Sequence, residues 1–280
     1  MLHVPAVMAE TRPLQRAQGT VRLAVADRSG STHLCALHQS GSARCLMPRR
    51  HGARPLEAVL LNTSGGITGG DRFDYALDCA AGTRLVATTQ AAERIYRAHE
   101  GTGIARTCIN VDADAFCAWL PQETILFNGG RFERHLDVAL AQDARALLLE
   151  TVVFGRLAMG ETLSSAHLRD RWRIRRAGRL VYADTLRLDG DINRLMAQPA
   201  TGMGAGAAST LVLCDANADD HVDATRARLS GHKGIEAGVS AFDGLLILRL
   251  MAQEPHRLRS ALAAVLPALS GHPLPRVWSL

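Results

Sequence analysis

Short apolar runs with a period of two follow one another along this chain, and that patterning leaves few architectures open. Runs at 20–26, 32–38, 43–47, 57–62, 72–79, 83–90, 104–111, 114–120, 123–128, 132–140, 144–154, 162–175, 179–188, 210–215 and 237–251 each read as a strand bounded by turn residues. Such close spacing specifies a mainly β body of stacked or packed sheets. With 280 residues and 47% apolar content the chain can bury one large core or two small ones. No fixed period separates the runs, so the letters alone do not specify a regular repeat solenoid.

Residues 1–18 read as a flexible N-terminal tail and 19–280 as a single domain. Two helices interrupt the strands near the end. One is expected near 219–230, with Asp219 and Asp220 at its positive end and Gly231 after it. The other is expected over 255–270. Glu254-Pro255 starts it, Leu258, Leu262, Val265, Leu266 and Leu269 share one face, and Gly271 and Pro273 end it. That stripe suits packing against the sheets. Residues 199–209 are nearly all small and read as a loosely ordered loop, a place where a partner could order the chain.

Composition excludes several classes. The net charge of +5 rests on arginines spread among acids, with Lys233 the only lysine, and no nucleic-acid-binding motif accompanies it. The densest basic run, Arg169 to Arg176, alternates with apolar residues as a strand with one solvated face does. No apolar run approaches the roughly 20 residues of a membrane helix, and the first residues lack a secretion pattern, which points to the cytoplasm. Cys35, Cys45, Cys79, Cys108, Cys117 and Cys214 are dispersed without a C-x-x-C pair and read as reduced, largely buried thiols. An aromatic content of 4% argues against a polysaccharide-acting β-helix enzyme, which needs sugar-stacking platforms. No nucleophile elbow or zincin motif occurs, so no catalytic residue is assigned. Glu133 and His135 share a strand face, and Asp215, Asp219, Asp220, His221 and Asp223 cluster near a helix start. A solvated strand face and the helix dipole explain both without a metal.

The segment Asn62-Thr63-Ser64-Gly65-Gly66-Ile67-Thr68-Gly69-Gly70-Asp71 is the chain's most distinctive loop. It is no phosphate cradle, because Asp71 stands where a P-loop needs Lys, and a strand pattern rather than a helix follows. From local pattern it is a glycine-rich turn between strands that presents Asp71.

This GGITGGD segment is similar to the PPGGxxGGD signature of the urease accessory proteins called UreD, or UreH in some bacteria. Further matches run in order. Residues 87–97 (ATTQAAERIYR) resemble the family's TTPGAxKxYR segment, and 119–129 (WLPQETILFNG) its WLPQExIxFxxA segment. Gly155-Arg156 with Met159-Gly160-Glu161 resembles GRxxxGE, and Pro275-Arg276-Val277-Trp278 resembles the PRxW ending. The chain departs from the pattern at Thr63-Ser64, which replace two prolines, at Gln90-Ala91, at Glu93, where many relatives carry Lys, and at Asn128. These departures bear on local turn geometry.

The resemblance implies an elongated, β-helix-like stack of strands with a small C-terminal helical element. It implies a scaffold rather than an enzyme, one that binds apo-urease and, through UreF, the GTPase UreG, with no nucleic-acid or membrane partner. No cofactor is tightly bound on this reading, and Ni²⁺ passes in transit along an internal hydrated passage. Isolated carboxylates and water hold such an ion loosely enough to release it. Candidate lining residues are Asp71, Glu123, Glu150, Glu161 and Asp184, beside the signature glycines Gly65, Gly66, Gly69 and Gly70. Each carboxylate has a salt-bridge alternative, with Arg72, Arg94, Arg97 and Arg156 available. Asp71→Ala is expected to leave folding intact and to lower urease activation. A stand-alone nickel-binding module is the alternative function.

Overall fold

A computed structural model describes residues 15–49 and 54–279, so residues 1–14 of the expected tail lie outside the described residues. The strands are β1 (Gln18–Arg28), β2 (Ser31–Gly41), β3 (Ala43–Leu46), β4 (Leu56–Asn62), β5 (Arg72–Cys79), β6 (Arg84–Thr89), β7 (Glu93–Ile95), β8 (Gly103–Val111), β9 (Phe116–Leu120), β10 (Thr124–Leu126), β11 (Arg131–Leu140), β12 (Arg145–Phe154), β13 (Ala166–Arg176), β14 (Arg179–Gly190), β15 (Ala207–Cys214), β16 (Ile235–Phe242) and β17 (Leu245–Ala252). From β4 to β13 the chain winds between two facing sheets, and each coil adds a parallel strand to both. One sheet has the order β14-β13-β11-β8-β5-β1-β2, and the other β16-β17-β15-β12-β9-β6-β4-β3. Antiparallel strands close the ends: β2 pairs β1, β14 pairs β13, β3 pairs β4, and β15 to β17 extend from β12. The stack is solenoid-like although the sequence shows no period. Its coils vary in length, with strands of one sheet beginning at Leu56, Arg84, Phe116 and Arg145.

Strand parity builds the first core. Val21, Leu23 and Val25 of β1, Phe73 and Leu77 of β5, Phe132, Leu136 and Val138 of β11, and Leu168, Trp172 and Ile174 of β13 point between the sheets. A second core lies on the far side of the larger sheet, under helices α2 (Val222–Leu229) and α3 (Pro255–Ser270). This makes β12 the middle of three layers. Nearly all of its side chains are buried, which is why its sequence runs apolar without alternation. α3 begins with Pro255 at its first turn and ends at Gly271 with φ 71°. It buries Leu258, Ala261, Leu262, Val265, Leu266 and Leu269, the stripe expected to pack on a sheet.

Local differences have local causes. The run 237–251 is a hairpin, β16–β17, because Asp243 and Gly244 both take positive φ, 49° and 73°, at a two-residue turn. The stretch 199–209 gives its last three residues to β15, and a short helix α1 (Ile192–Met196) capped by Asp191 precedes it. Cys45, Cys79, Cys117 and Cys214 are buried, whereas Cys35 and Cys108 are exposed. Among the described residues no helix is long and apolar enough to cross a membrane.

Candidate functional site

The sequence motifs are successive turns on one side of the stack. Each follows a strand of the larger sheet: the glycine loop follows β4, residues 90–97 follow β6, Pro121–Glu123 follow β9, and 155–161 follow β12. They are bonded to each other as rungs. Ile67 N–H donates to the Arg94 carbonyl at 2.8 Å and Tyr96 N–H to the Ile67 carbonyl at 2.8 Å. β7 and β10 then run parallel, as do β10 and β12. Close approach accounts for two of the glycines. A Cβ on Gly66 would fall 2.3 Å from the Tyr96 ring, and one on Gly69 would fall 2.0 Å from the Glu100 carbonyl oxygen.

Asp71 is buried at this turn and uses both oxygens on backbone. Oδ1 accepts from Ala17 N–H and Oδ2 from Thr68 N–H, each at 2.8 Å. It fastens the loop to the chain entering β1, with no arginine among the described residues involved. Asp71→Ala therefore strands two N–H groups and is expected to lower stability by about 1–3 kcal/mol in urea denaturation.

Glu161 pairs with Arg156, accepting at 3.0 Å from Nε and from Nη2, and also accepts from the backbone N–H groups of Arg156 and Asn128. The hydrogen bonds from Arg156 hold its carboxyl down at about 2. Glu123 accepts at 2.8 Å from Arg259 of α3, which also donates to the Trp278 carbonyl and lies over the Trp278 ring. This arginine ties the WLPQE turn to the PRVW ending. Asp71, Glu123 and Glu161 are thus engaged at turns.

Glu150 and Asp184 come together between the sheets, with two residues that the sequence reading passed over. Arg134 on β11 lies 2.5 Å from Glu150 and 2.6 Å from Asp170 on β13, and all three are buried. Thr124 Oγ1 accepts from Arg134 at 3.1 Å, and Trp119 Nε1–H donates to Glu150 at 2.9 Å. Asp170 Oδ1 has no hydrogen-bond partner. Two acids thus share one guanidinium, a surplus of one negative charge. Burial pushes the Glu150 carboxyl up to about 7, against the pull of Arg134 and helped by the Asp170 charge. Glu150, Asp170 and Asp184 line a cavity of about 30 Å³, enough for one water or a small ion. Asp184 there accepts from Arg249 at 2.7 Å and Tyr182 O–H at 3.0 Å. Of the arginines nominated from sequence Arg156 pairs with one of these acids, Glu161, whereas Glu150, Asp184 and Glu123 pair with Arg134, Arg249 and Arg259.

Glu93 forms a separate feature on β7. Both its oxygens lie 3.2 Å from Asn62 Nδ2. Burial lifts its carboxyl to about 7 and Asp71 adds to the rise, while hydrogen bonds from Asn62 and the Arg94 backbone and the Arg94 charge oppose it. The folded chain therefore holds a proton here that the unfolded chain, titrating near 4.5, releases. Stability is expected to fall as pH rises from about 4.5 to about 7. Glu150 contributes in the same direction, so Glu93→Gln should flatten part of this slope in urea midpoints compared at pH 5 and pH 7.5.

Among the described residues no three His, Cys, Asp or Glu side chains are grouped so as to hold a metal ion. Asp215 pairs with Arg145 at 2.5 Å, and His135 lies 3.4 Å from Glu133.

Comparisons with known proteins match the chain over nearly its whole length. The family described as UreD urease accessory protein matches residues 17–279. A urease accessory protein UreD from Rhizobium leguminosarum bv. viciae is 45% identical over 275 residues, covering 98% of this chain and 99% of the relative. Relatives of the same description from Methylobacterium sp. (strain 4-46) and Rhodopseudomonas palustris (strain BisB18) are each 45% identical, covering 94% of this chain and 95% and 94% of their own lengths. The chain belongs to the UreD family of urease accessory proteins, which assist urease assembly and are not enzymes.

Proposed function

We propose that this chain is a cytoplasmic scaffold that holds apo-urease and a complex of UreF with the GTPase UreG, and that Ni²⁺ crosses its interior during GTP-dependent delivery. Family membership gives the coarser part, a role in urease maturation in association with urease and other accessory proteins. The observation that carries the finer part is the buried Glu150–Arg134–Asp170 group beside its cavity. A negative surplus away from water needs a proton or a cation, and oxygen donors already committed to arginine bind a passing ion weakly. The contact with UreF is assigned to loop 199–206 and the start of α3, where Met203, Glu254 and Arg257 line an open groove of about 450 Å³.

Glu150→Gln tests this reading. The amide can still accept from Trp119, and Arg134 keeps Asp170, so the buried group becomes neutral and the fold should persist. In a host expressing the urease genes, urease activity and urease-bound nickel are expected to drop at least tenfold at equal expression, with partner co-purification unchanged. Full activation by this variant overturns the interior route.

A further inference from the structure

We propose that β2 is a self-association edge, through which two copies of this chain join in an antiparallel β2–β2 pair about a two-fold axis between Cys35 and Ala36. The strand reads nearly the same in both directions, Ser31-Thr32-His33-Leu34-Cys35-Ala36-Leu37-His38-Gln39-Ser40. Reversed and laid beside itself, it sets Leu34 against Leu37, His33 against His38 and Ser31 against Ser40, with Thr32 against Gln39 and Cys35 against Ala36. A two-fold strand contact is such a reversal, since residue i of one copy meets residue j of the other and j meets i.

In a regular strand this match would fail, because Leu34 and Leu37 are three apart and would point to opposite faces. A bulge corrects it. Ala36 stands opposite Ala24 and Leu34 opposite Val25, so Cys35 is an extra residue in β2. Leu34, opposite Val25, and Leu37, opposite Leu23, therefore share the face that looks between the sheets. His33, opposite Ala26, and His38, opposite Arg22, share the other face. Each residue and its match across the axis then lie on one side of the joined sheet, as a cross-strand pair must.

The setting of the strand favours a second copy. β2 ends the seven-stranded sheet, pairs only β1 among the described residues, and is exposed from His33 to Gly41, with Leu34 and Leu37 40% and 36% exposed. The other three sheet ends are guarded. β14 carries Arg179, Asp184, Arg187 and Asp189, β3 has four residues, and β16 carries Glu236 while Arg226 of α2 donates to its Val239 carbonyl at 2.9 Å. β2, at 11 residues, holds no Asp, Glu, Lys, Arg or Pro. It offers no charge to an acidic or basic strand, whereas its own reversed copy matches it in size and polarity. A single strand pair buries less than the roughly 1,200–2,000 Å² of a stable interface, so a dissociation constant on the order of micromolar is expected. The contact does not depend on the ion route.

Sedimentation equilibrium of the full chain, from micromolar concentration upward, tests the pairing. The wild type is expected to show a monomer–dimer equilibrium. Leu37→Lys sets an ammonium against Leu34 of the other copy at two places, and Ala36→Glu sets two carboxylates beside the axis, so each should weaken the dimer at least tenfold. Leu37→Val should keep it. Both positions are exposed, so the variants should fold, which circular dichroism checks. Cys35 and Cys108 are the exposed thiols among the described residues, and in a Cys108→Ser background a short bis-maleimide should link two copies through Cys35. A wild type that stays monomeric up to millimolar concentration overturns the pairing. So does a dimer that natively folded Leu37→Lys and Ala36→Glu leave unweakened, or one that forms no Cys35 link. A monomeric wild type whose co-purification with UreF is lost in Ala36→Glu also overturns it and gives the edge to that partner.

Discussion

Arg134→Met is expected to lower the free energy of unfolding by about 3–5 kcal/mol, the range for a buried ion pair that loses one partner. The reason is asymmetry. The pair itself can be close to neutral against an apolar replacement, but its removal leaves Glu150 and Asp170 buried together without a positive charge. Part of the loss should return in the triple variant Arg134→Met, Glu150→Gln, Asp170→Asn, whose buried group carries no charge. Urea denaturation of the four proteins, wild type, Arg134→Met, Glu150→Gln and the triple variant, separates these terms. A midpoint unchanged in Arg134→Met would mean that water reaches the acids freely.

Removal of residues 254–280 is expected to abolish folding. α3 buries Leu258, Leu262, Val265, Leu266 and Leu269 against the larger sheet, and Trp278 donates to Thr88 and the Leu120 carbonyl from beyond it. Each buried apolar side chain of this size contributes roughly 1.5–3 kcal/mol, so together they match the roughly 5–15 kcal/mol of a whole domain. Circular dichroism of the truncated chain, with a cooperative thermal transition as the contrary outcome, checks this. The consequence for partner mapping is practical. The inner face of α3 is core, so this deletion cannot report on UreF, and only substitutions on the outer face or in loop 199–206 can.

Much of the architecture was legible because strand parity is a short-range signal. β1, β8, β11 and β13 alternate strictly, and the α3 stripe with its Pro255 start and Gly271 stop fixes a helix almost to the residue. The pairing of non-neighbouring strands was not, since coil lengths vary and no repeat marks the register. Only the family resemblance supplied the stack.

The site divides along the same line. Glu150 stands out as a lone acid in a continuous apolar run. Arg134 and Asp170 were overlooked because both sit in charge-rich segments that read as solvated. Yet parity carried the signal: Arg134 shares a strand face with Phe132, Leu136 and Val138, and Asp170 with Leu168, Trp172 and Ile174, so each points inward. They are direct partners in the β11–β13 register. Asp71 shows the reverse case. A carboxylate after two glycine pairs suggests an open ligand, whereas its oxygens are consumed by backbone groups, one of them on the distant Ala17.

The antiparallel closing strands have a consequence for synthesis. β14 and β15 to β17, which cover the late edge of each sheet, leave the ribosome after every parallel coil has been made. Until they arrive, β12 and β13 offer uncovered backbone to any similar ribbon, including another growing copy. Prematurely terminated chains ending between β13 and β14 should accordingly gather in inclusion bodies, and translation speed over the last hundred or so codons becomes a determinant of yield.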